Sequence, residues 1–226
     1  MKNRIAITAL NFLRACAVPM AMIVAVSLVA QTARYDSAKP PPHGTIFAPG
    51  IISTDDYESH AMFSADRREI YFLKMAPNFS RWTIFVSRYK DGGWAQPEVA
   101  PFSREYQDAV THITADGEHF YFISDRPVEK EGERQSHHDI WVMDKAASGW
   151  GAPRHSPASV NSDADEFYPM ALKNWTLYFG SQRNDPNGPR DIYRAVPQPD
   201  GSYAVEDIGP PVNSAGGEYE AFGTRR

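Results

Sequence analysis

The chain of 226 residues has 18 prolines, 15 glycines and 12% aromatic residues, a composition that supports one globular domain with its own core. It carries 23 basic and 28 acidic residues, so its formal net charge is −5 at pH 7. Because the chain is acidic and its sequence shows no basic patch, we expect no binding to nucleic acid, which contacts to phosphate would have to drive.

The start of the chain has the pattern of an export signal. Lys2 and Arg4 precede a mainly apolar stretch that ends in small residues, which predicts a secretory signal peptide over residues 1–30 and a periplasmic or secreted protein. The apolar run over residues 15–30 is shorter than the roughly 20 residues that a membrane-spanning helix needs. We therefore expect no stable membrane span after cleavage, and an uncleaved anchor is the alternative. The only cysteine, Cys16, lies in this leader, so the mature chain has no disulfide.

After the leader, a linker precedes a repeated unit. Residues 31–45 are rich in proline and predict a linker. Residues 46–226 then contain one unit written three times, in which a run centred on Tyr-Phe is followed by a loop, a second apolar run and a glycine turn. The isoleucine of the second run and the aromatic residue after the turn are Ile84 with Trp94, Ile140 with Trp150, and Ile192 with Tyr203. Their nearly constant separation predicts a hairpin of fixed geometry, with Trp94 and Trp150 as structural repeat positions.

An acidic residue opens each unit and sets the register of the repeat. The acids are Glu58, Asp108, Glu166 and Glu218, at spacings of 50, 58 and 52 residues. Tandem units of this length with four short strands each predict β-propeller blades. The predicted boundaries are an outer strand over residues 46–55, blades over 56–105, 106–160 and 161–214, and the start of a further blade over 215–226.

Several short motifs of the unit resemble the WD-like propeller repeats of TolB-type proteins, which occur in bacterial envelope and peptidoglycan-associated proteins. They are the opening acid, the Asp-Gly turn, "LYFGSQR", "DIY" and the closing "VNS", and together they cover about residues 46–223. The resemblance implies an all-β propeller of four-stranded antiparallel blades whose partners are envelope proteins, peptidoglycan-associated lipoproteins or glycans. Two positions depart from the repeat: "LKM" stands where Ser-x-Arg is usual, and Lys173-Asn174 stands for Asp-Gly.

The number of blades raises a question of closure, because the resemblance implies a ring of six. Three blades and partial strands predict two open sides, each with about four to six large apolar side chains that would be worth roughly 6–18 kcal/mol if buried. The sequence favours a truncated reading frame. The alternatives are a subunit that closes a ring by self-association through its open blade edges, and an open wedge.

The four opening acids have two interpretations. Repeated carboxylates on the inner strands could ring one mouth of the channel and hold a hard cation such as calcium. Alternatively, each of Glu58, Asp108, Glu166 and Glu218 satisfies backbone donors or an arginine. The recurrence in every unit favours the structural interpretation, so we predict no cofactor and keep calcium as the alternative.

A second pair of acids also recurs. Asp139 and Asp191 hold the same place before the isoleucine of their units. We predict that each starts a strand and bonds an arginine that follows the preceding strand, Arg126 and Arg183 respectively. Both pairs would be structural.

No residue set in the sequence predicts catalysis. His137 and His138 precede Asp139, but adjacent residues of a strand point to opposite faces, which argues against a transition-metal site. The chain has no Gly-x-Ser-x-Gly elbow, no His-Glu-x-x-His and no phosphate-binding glycine loop. We therefore predict an exported, non-enzymatic binding platform. The alternative is the propeller part of a hydrolase, a serine peptidase or a glycosidase, whose catalytic portion is missing or unrecognised.

Overall fold

The computed structural model describes residues 43–129, 131–185 and 187–221. Its regular elements within these ranges are β-strands, which confirms the predicted all-β fold. No helix in the described part of the chain is long and apolar enough to cross a membrane. The predicted signal peptide, and all of the predicted linker before residue 43, lie outside the described residues.

The strands form three sheets that follow one another along the chain. The first blade consists of β1 (Tyr57–Phe63), β2 (Glu69–Met75), β3 (Trp82–Lys90), β4 (Gly93–Trp94) and β5 (Glu98–Val99). The second blade consists of β6 (Asp108–Ile113), β7 (His119–Ser124), β8 (Asp139–Ala146), β9 (Gly149–Trp150) and β10 (Arg154–His155). The third blade consists of β11 (Glu166–Ala171), β12 (Leu177–Ser181), β13 (Asp191–Pro197) and β14 (Tyr203–Asp207).

Each sheet is a meander in which strands that follow one another in sequence also pair. Every pairing within the blades is antiparallel. In the first two blades the outer strand is split, since β4 and β5 both pair with β3, and β9 and β10 both pair with β8. The third blade has the simple order β11-β12-β13-β14. This topology confirms the predicted blades and makes the described chain part of a propeller.

The blades pack face to face through two apolar layers. Between the first and second blades, Tyr71 packs with Phe120 and Phe122. Between the second and third blades, Tyr121 packs with Phe179. The residues of β7 alternate between the two layers because successive side chains of a strand point to opposite faces. The second blade is therefore buried on both faces, which explains why its middle strands read as continuous apolar runs.

Each inner strand carries a β-bulge close to its opening acid. The pairing register of β1, β6 and β11 with their neighbours shifts there. At these points His60, Val110 and Tyr168 have φ values of +50°, +51° and +53°. Such left-handed values are uncommon for non-glycine residues, so their recurrence marks the bulge as a feature of the repeat. The bulges bring the rings of His60 and Tyr168 together, with centroids 5.4 Å apart.

Residues 43–56, which we call the cover segment, do not form the predicted outer strand over 46–55. The chain makes turns there, with a single bridge between Pro49 and Ser53. Ala48 and Gly50 have positive φ, and this bending prevents an extended strand. The segment instead packs Ile52 on Phe72, on the side of the first blade that faces away from the second. The large apolar face expected on this open side is therefore covered.

The opposite open side, on the third blade, also differs from the expectation. Tyr193 and Ala195 of β13 lie in the layer shared with the second blade, so Arg194 between them points away from it. On this outer side Arg194 pairs with Glu206. Gly180 is also on this side, and a Cβ there would lie 2.8 Å from the side chain of Arg190. The outer face of the third blade is thus partly polar, because charged and small residues occupy positions where large apolar ones were expected.

The cover segment should contribute measurably to stability. We expect Ile52→Ala to lower the free energy of unfolding by about 2–4 kcal/mol, because Ile52 is 5% exposed and its removal leaves a cavity against the first blade. Urea unfolding followed by tryptophan fluorescence measures this change. Ile46→Ala is the control: Ile46 is 73% exposed in the same segment, and its loss should cost less than about 0.5 kcal/mol. Equal costs would contradict the packing role.

Candidate functional site

The opening acid of the second blade is fully buried and ion-paired. Arg126 Nη2 donates to Asp108 Oδ1 at 2.7 Å, and the side chain of Asp108 is 0% exposed. The guanidinium also donates to Ser124 Oγ at 2.9 Å and to the carbonyl of Phe102 at 3.1 Å. Burial raises the pKa of Asp108, and Arg126 opposes this rise. The pair joins the start of β6, the end of β7 and the close of the first blade.

The opening acid of the third blade has the same surroundings. Arg183 Nη2 lies 3.2 Å from Glu166 Oε1, and Ser181 Oγ donates to the same oxygen at 3.0 Å. Ser162, four residues earlier, donates through its hydroxyl at 2.5 Å and through its backbone N–H at 3.1 Å. Burial raises the pKa of Glu166, and the hydrogen bonds from Ser162 oppose the shift. In both blades the opening carboxylate thus lies with a hydroxyl and an arginine, as the structural interpretation of these acids expects. We call this arrangement the tie.

The first and last acids show how the tie varies. Lys74 lies opposite Glu58 in the ladder, in the place of Ser124 and Ser181, and its Nζ is 3.3 Å from Glu58 Oε1. This pairing accounts for "LKM" in the first unit, since lysine supplies the positive charge itself. Glu218 accepts from the Ser214 hydroxyl at 2.7 Å and from its N–H at 3.3 Å. The hydroxyl part of the tie thus extends to Glu218.

The structure describes no group of three or more His, Cys, Asp or Glu side chains that could hold a metal ion. Each opening acid is bonded within its own repeat or to the end of the segment before it, as Glu218 is to Ser214. The absence of a cofactor stays a prediction, with calcium bound by the four acids as its alternative.

Asp139 does not bond Arg126 as the sequence predicted. Arg126 pairs with Asp108, and Asp139 Oδ2 is instead 2.6 Å from His155 Nε2. His137 Nε2 lies 3.6 Å from the other oxygen of Asp139. The prediction was wrong because the buried opening acid attracts the nearby arginine. Sequence reasoning missed His155, which lies 16 residues after Asp139 and comes back to it only through the pairing of β10 with β8.

Asp191 likewise does not take Arg183, which lies on Glu166. Its surroundings are acidic: burial raises the pKa of Asp191, and Asp207 and Glu218 raise it further. Asp139 and Asp191 hold the same repeat position, but Asp139 lies beside histidines and Asp191 lies near other carboxylates.

The "VNS" motif closes each of the last two blades with an asparagine clasp. The side-chain amide of Asn161 accepts from the N–H of Ile140 at 2.9 Å and donates to its carbonyl at 3.1 Å. Asn213 holds Ile192 in the same way, with both distances at 2.9 Å. The amide thus copies the hydrogen bonds of a neighbouring strand, and it adds to the backbone bonds that Ser156 and Ile208, directly after the outer strands, donate to the same two carbonyls. The sequence showed the motif but not this role.

A small pocket of about 110 Å³ lies at the inner-strand bulges, lined in part by His60, His112, Tyr168 and Glu220. Ser59 Oγ and His60 Nδ1 are 2.8 Å apart. Burial lowers the pKa of His60, although Glu220 opposes the shift, and burial also lowers the pKa of His112. Both imidazoles are therefore neutral at physiological pH. Sequence reasoning missed this pocket because the bulges that form it break the two-residue alternation of a strand.

A larger groove of about 830 Å³ lies between the first and second blades. Its walls are the β1–β2 turn and the end of β3 on one side and the β8–β9 turn on the other. At its base Trp150 Nε1 donates to Tyr71 Oη at 3.0 Å, and Tyr71 Oη donates to Glu69 Oε2 at 2.9 Å. Arg88 Nε completes the chain by donating to Glu69 Oε1 at 3.0 Å. The bond from Trp150 crosses the boundary between the blades, and together the three bonds hold the base of the groove in one arrangement.

The two tryptophans at equivalent repeat positions have different surroundings. Trp94 is buried under the cover segment, with its ring centroid 5.7 Å from that of Phe47. Trp150 lines the groove, and Lys145 Nζ lies 4.7 Å from its ring centroid. Only the repeat position, and not the role, could be read from the sequence.

The charges around the groove are mostly positive. Four cations and two carboxylates line it, and the cations are Arg68, Arg88, Lys90 and Lys145. The sequence shows no basic patch, but the fold assembles one from residues that are far apart in the chain.

The comparisons with known proteins bear on the fold. No protein-family model matches the chain, and no curated protein matches it. Among solved structures it is similar to a puromycin-hydrolyzing peptidase of Mycobacterium tuberculosis, with 12% identity and a TM-score of 0.48 over 70% of this chain and 23% of that one. It is also similar to a putative TolB of Agrobacterium tumefaciens, with 16% identity and a TM-score of 0.42 over 74% of this chain and 65% of that one.

A third similar structure is prolyl oligopeptidase B from Galerina marginata bound to a 35mer hydrolysis and macrocyclization substrate. The identity is 14% and the TM-score is 0.41, over 67% of this chain and 20% of that one. The chain thus spans less than a quarter of the two peptidases. At these identities and TM-scores the matches assign no activity, and the propeller assignment depends on the three sheets themselves.

Removal of a buried opening acid should be far more costly than removal of an exposed one. We expect Asp108→Ala to lower the free energy of unfolding by about 3–5 kcal/mol, because Arg126 then remains buried without a counter-charge. In Glu218→Ala, the matched control, the lost bonds are exposed and the cost should be about 1 kcal/mol. Urea unfolding of both variants measures the difference. Similar costs would show that the carboxylate–arginine tie is not what stabilises the blade.

Proposed function

We propose that this chain is an exported, non-enzymatic β-propeller platform that binds envelope proteins or peptidoglycan glycans through the groove between its first two blades. The observation that carries the proposal is the groove itself, a concave site of about 830 Å³ with an aromatic base and charged walls. Ligand sites typically combine this size with apolar walls and a few convergent polar groups. The leader pattern of residues 1–30 supports export.

The charged walls are a departure from the repeat, which favours a function for them. Glu69 pairs with Arg88 across β2 and β3, while at the same register in the second blade His119 pairs with Asp144. Arg88 also pairs with Glu98, and Asp144 also pairs with Arg154, so the ion-pair network recurs in the second blade with its signs reversed. Arg88 therefore holds its blade together, and the positive sign, rather than the network, is what distinguishes this wall of the groove.

The base of the groove is also pre-formed. Tyr71 is 3% exposed, and its hydroxyl is fixed between Trp150 and Glu69. A site whose side chains are already ordered loses less conformational entropy when a ligand binds. The variable turns above this base can then set which ligand is accepted, as loops on a rigid scaffold commonly do.

Filling the groove should prevent binding. We expect the purified, fluorescently labelled protein to bind saturably to purified peptidoglycan sacculi or to detergent-solubilised envelope proteins. Ala147→Trp, which adds a large ring to an exposed alanine of the groove wall, should weaken that binding by about tenfold, a loss of 1.4 kcal/mol. Co-sedimentation with sacculi and fluorescence anisotropy with the protein fraction give the two affinities.

The control for this experiment is Ala204→Trp, at an exposed alanine of β14 on the third blade. Its binding should match that of the unchanged protein. If neither fraction binds saturably, or if both tryptophan variants bind equally well, the proposed platform is wrong.

One observation favours the hydrolase alternative. Ser59 Oγ and His60 Nδ1 lie within hydrogen-bond distance, and Glu220 acts electrostatically on the imidazole. A hydroxyl, an unprotonated imidazole and a carboxylate are the groups that nucleophilic hydrolysis uses. His60 and Glu220 line the small pocket at the inner-strand bulges, away from the groove, whereas Ser59 lines a separate cavity of about 480 Å³ beside the cover segment that His60 also lines.

An esterase assay separates the two functions. As a non-enzymatic platform, the protein should not accelerate hydrolysis of p-nitrophenyl acetate above the rate given by Ser59→Ala. Ser148→Ala, at an exposed serine of the β8–β9 turn, controls for general surface effects. Turnover that Ser59→Ala abolishes and Ser148→Ala retains would favour the hydrolase instead.

A further inference from the structure

We propose that the groove between the first and second blades binds an acidic peptide segment, and that it selects this ligand by charge. This inference rests on the proposed platform function and adds the chemical class of the partner. Three observations support it. Cations line both walls of the groove, the faces of its aromatic rings are already covered, and the second blade carries acidic residues at the equivalent positions.

The cations of the groove differ in whether they form ion pairs within the protein. Arg88 is engaged by Glu69 and Glu98. Lys145 is exposed and lies over Trp150, and it also acts electrostatically on Asp66 of the opposite wall. No described residue forms an ion pair with Lys90. Lys90 and Lys145 stand on opposite walls, at the end of β3 and in β8. Neither lysine forms an ion pair within the described residues, so both can meet carboxylates along a ligand that lies between the walls.

The aromatic rings argue against a sugar as the ligand. Carbohydrate sites usually offer an open ring face for stacking, but Lys145 lies over Trp150, and Phe120 packs edge-on against it at 5.2 Å. Tyr71 is enclosed between Phe102 and Phe120, with centroids 6.5 Å and 5.0 Å away. The rings therefore offer the ligand edges and an apolar base, which suit peptide side chains better than a sugar ring.

The second blade shows that the repeat does not require this charge. Where the first blade has Arg68 and Arg88 around its turn, the second has Glu118 and Asp144. The protein as a whole carries a net charge of −5, so a local excess of cations is not a consequence of composition. Such a patch attracts a ligand of opposite sign and raises its rate of association.

The experiment uses a fluorescein-labelled octapeptide of alternating glutamate and leucine, and a matched peptide with glutamine in place of each glutamate. We expect the acidic peptide to bind at least tenfold more tightly in fluorescence anisotropy, with an affinity that falls as salt is added. Lys90→Glu/Lys145→Glu should weaken it by about tenfold or more. Lys173→Glu, at an exposed turn of the third blade, is the matched control and should change it less than twofold.

The outcomes distinguish this inference from the platform on which it rests. Equal binding of the two peptides, or full binding by the double variant, overturns the acidic-peptide inference. If, in addition, Ala147→Trp still weakens binding to the envelope fractions, the platform stands with a different ligand. Tighter binding of an oligogalacturonate than of the peptide would assign the groove to an acidic glycan and overturn the inference in the same way. If Ala147→Trp has no effect either, both proposals fall.

Discussion

The hydrogen-bonded carboxylate that opens each blade makes the interaction on which the rest of the structure depends. In the second and third blades it meets an arginine and a hydroxyl at one point, with Asp108 bonded to Arg126 and Glu166 bonded to Arg183. Each tie joins the inner strand, the following strand and the end of the previous unit, so it sets both the register of the blade and its place beside its neighbour. A charge this deeply buried is tolerated only when paired, and the pairing makes other registers unfavourable.

With the registers set by these ties, the apolar layers have only to fill space. Phe120 and Phe122 face one neighbour while Tyr121 faces the other, so a single strand supplies both layers of the core. The hairpin turns lie outside this arrangement and are under less constraint. They carry the charges that distinguish one blade from the next, which is why the groove, and not the core, is where specificity can arise.

The sequence revealed the blades because their period is written in local motifs, and it revealed less wherever contacts cross between units. The opening acids could be found by spacing alone. Their partners could not, since Arg126 had two carboxylates in reach and burial decided between them. The cover segment was misread because its apolar residues resemble a strand while its backbone bends. The groove was invisible because Arg88 and Lys145 are distant in the chain and become neighbours only after the blades pack.

The asparagine clasp has a consequence for how such a chain can change length. Asn161 lies 21 residues after Ile140, and Asn213 lies 21 residues after Ile192. The segment from the isoleucine to the asparagine therefore has the same length in both blades. The second unit is nevertheless six residues longer than the third by the spacing of the opening acids. All six extra residues fall before the isoleucine, five of them in the connection between β7 and β8 and one in the hairpin of β6 and β7. Insertions can accumulate in that connection without changing the segment from the isoleucine to the asparagine. Deletions within that segment would move the asparagine amide away from the isoleucine backbone to which it is hydrogen-bonded.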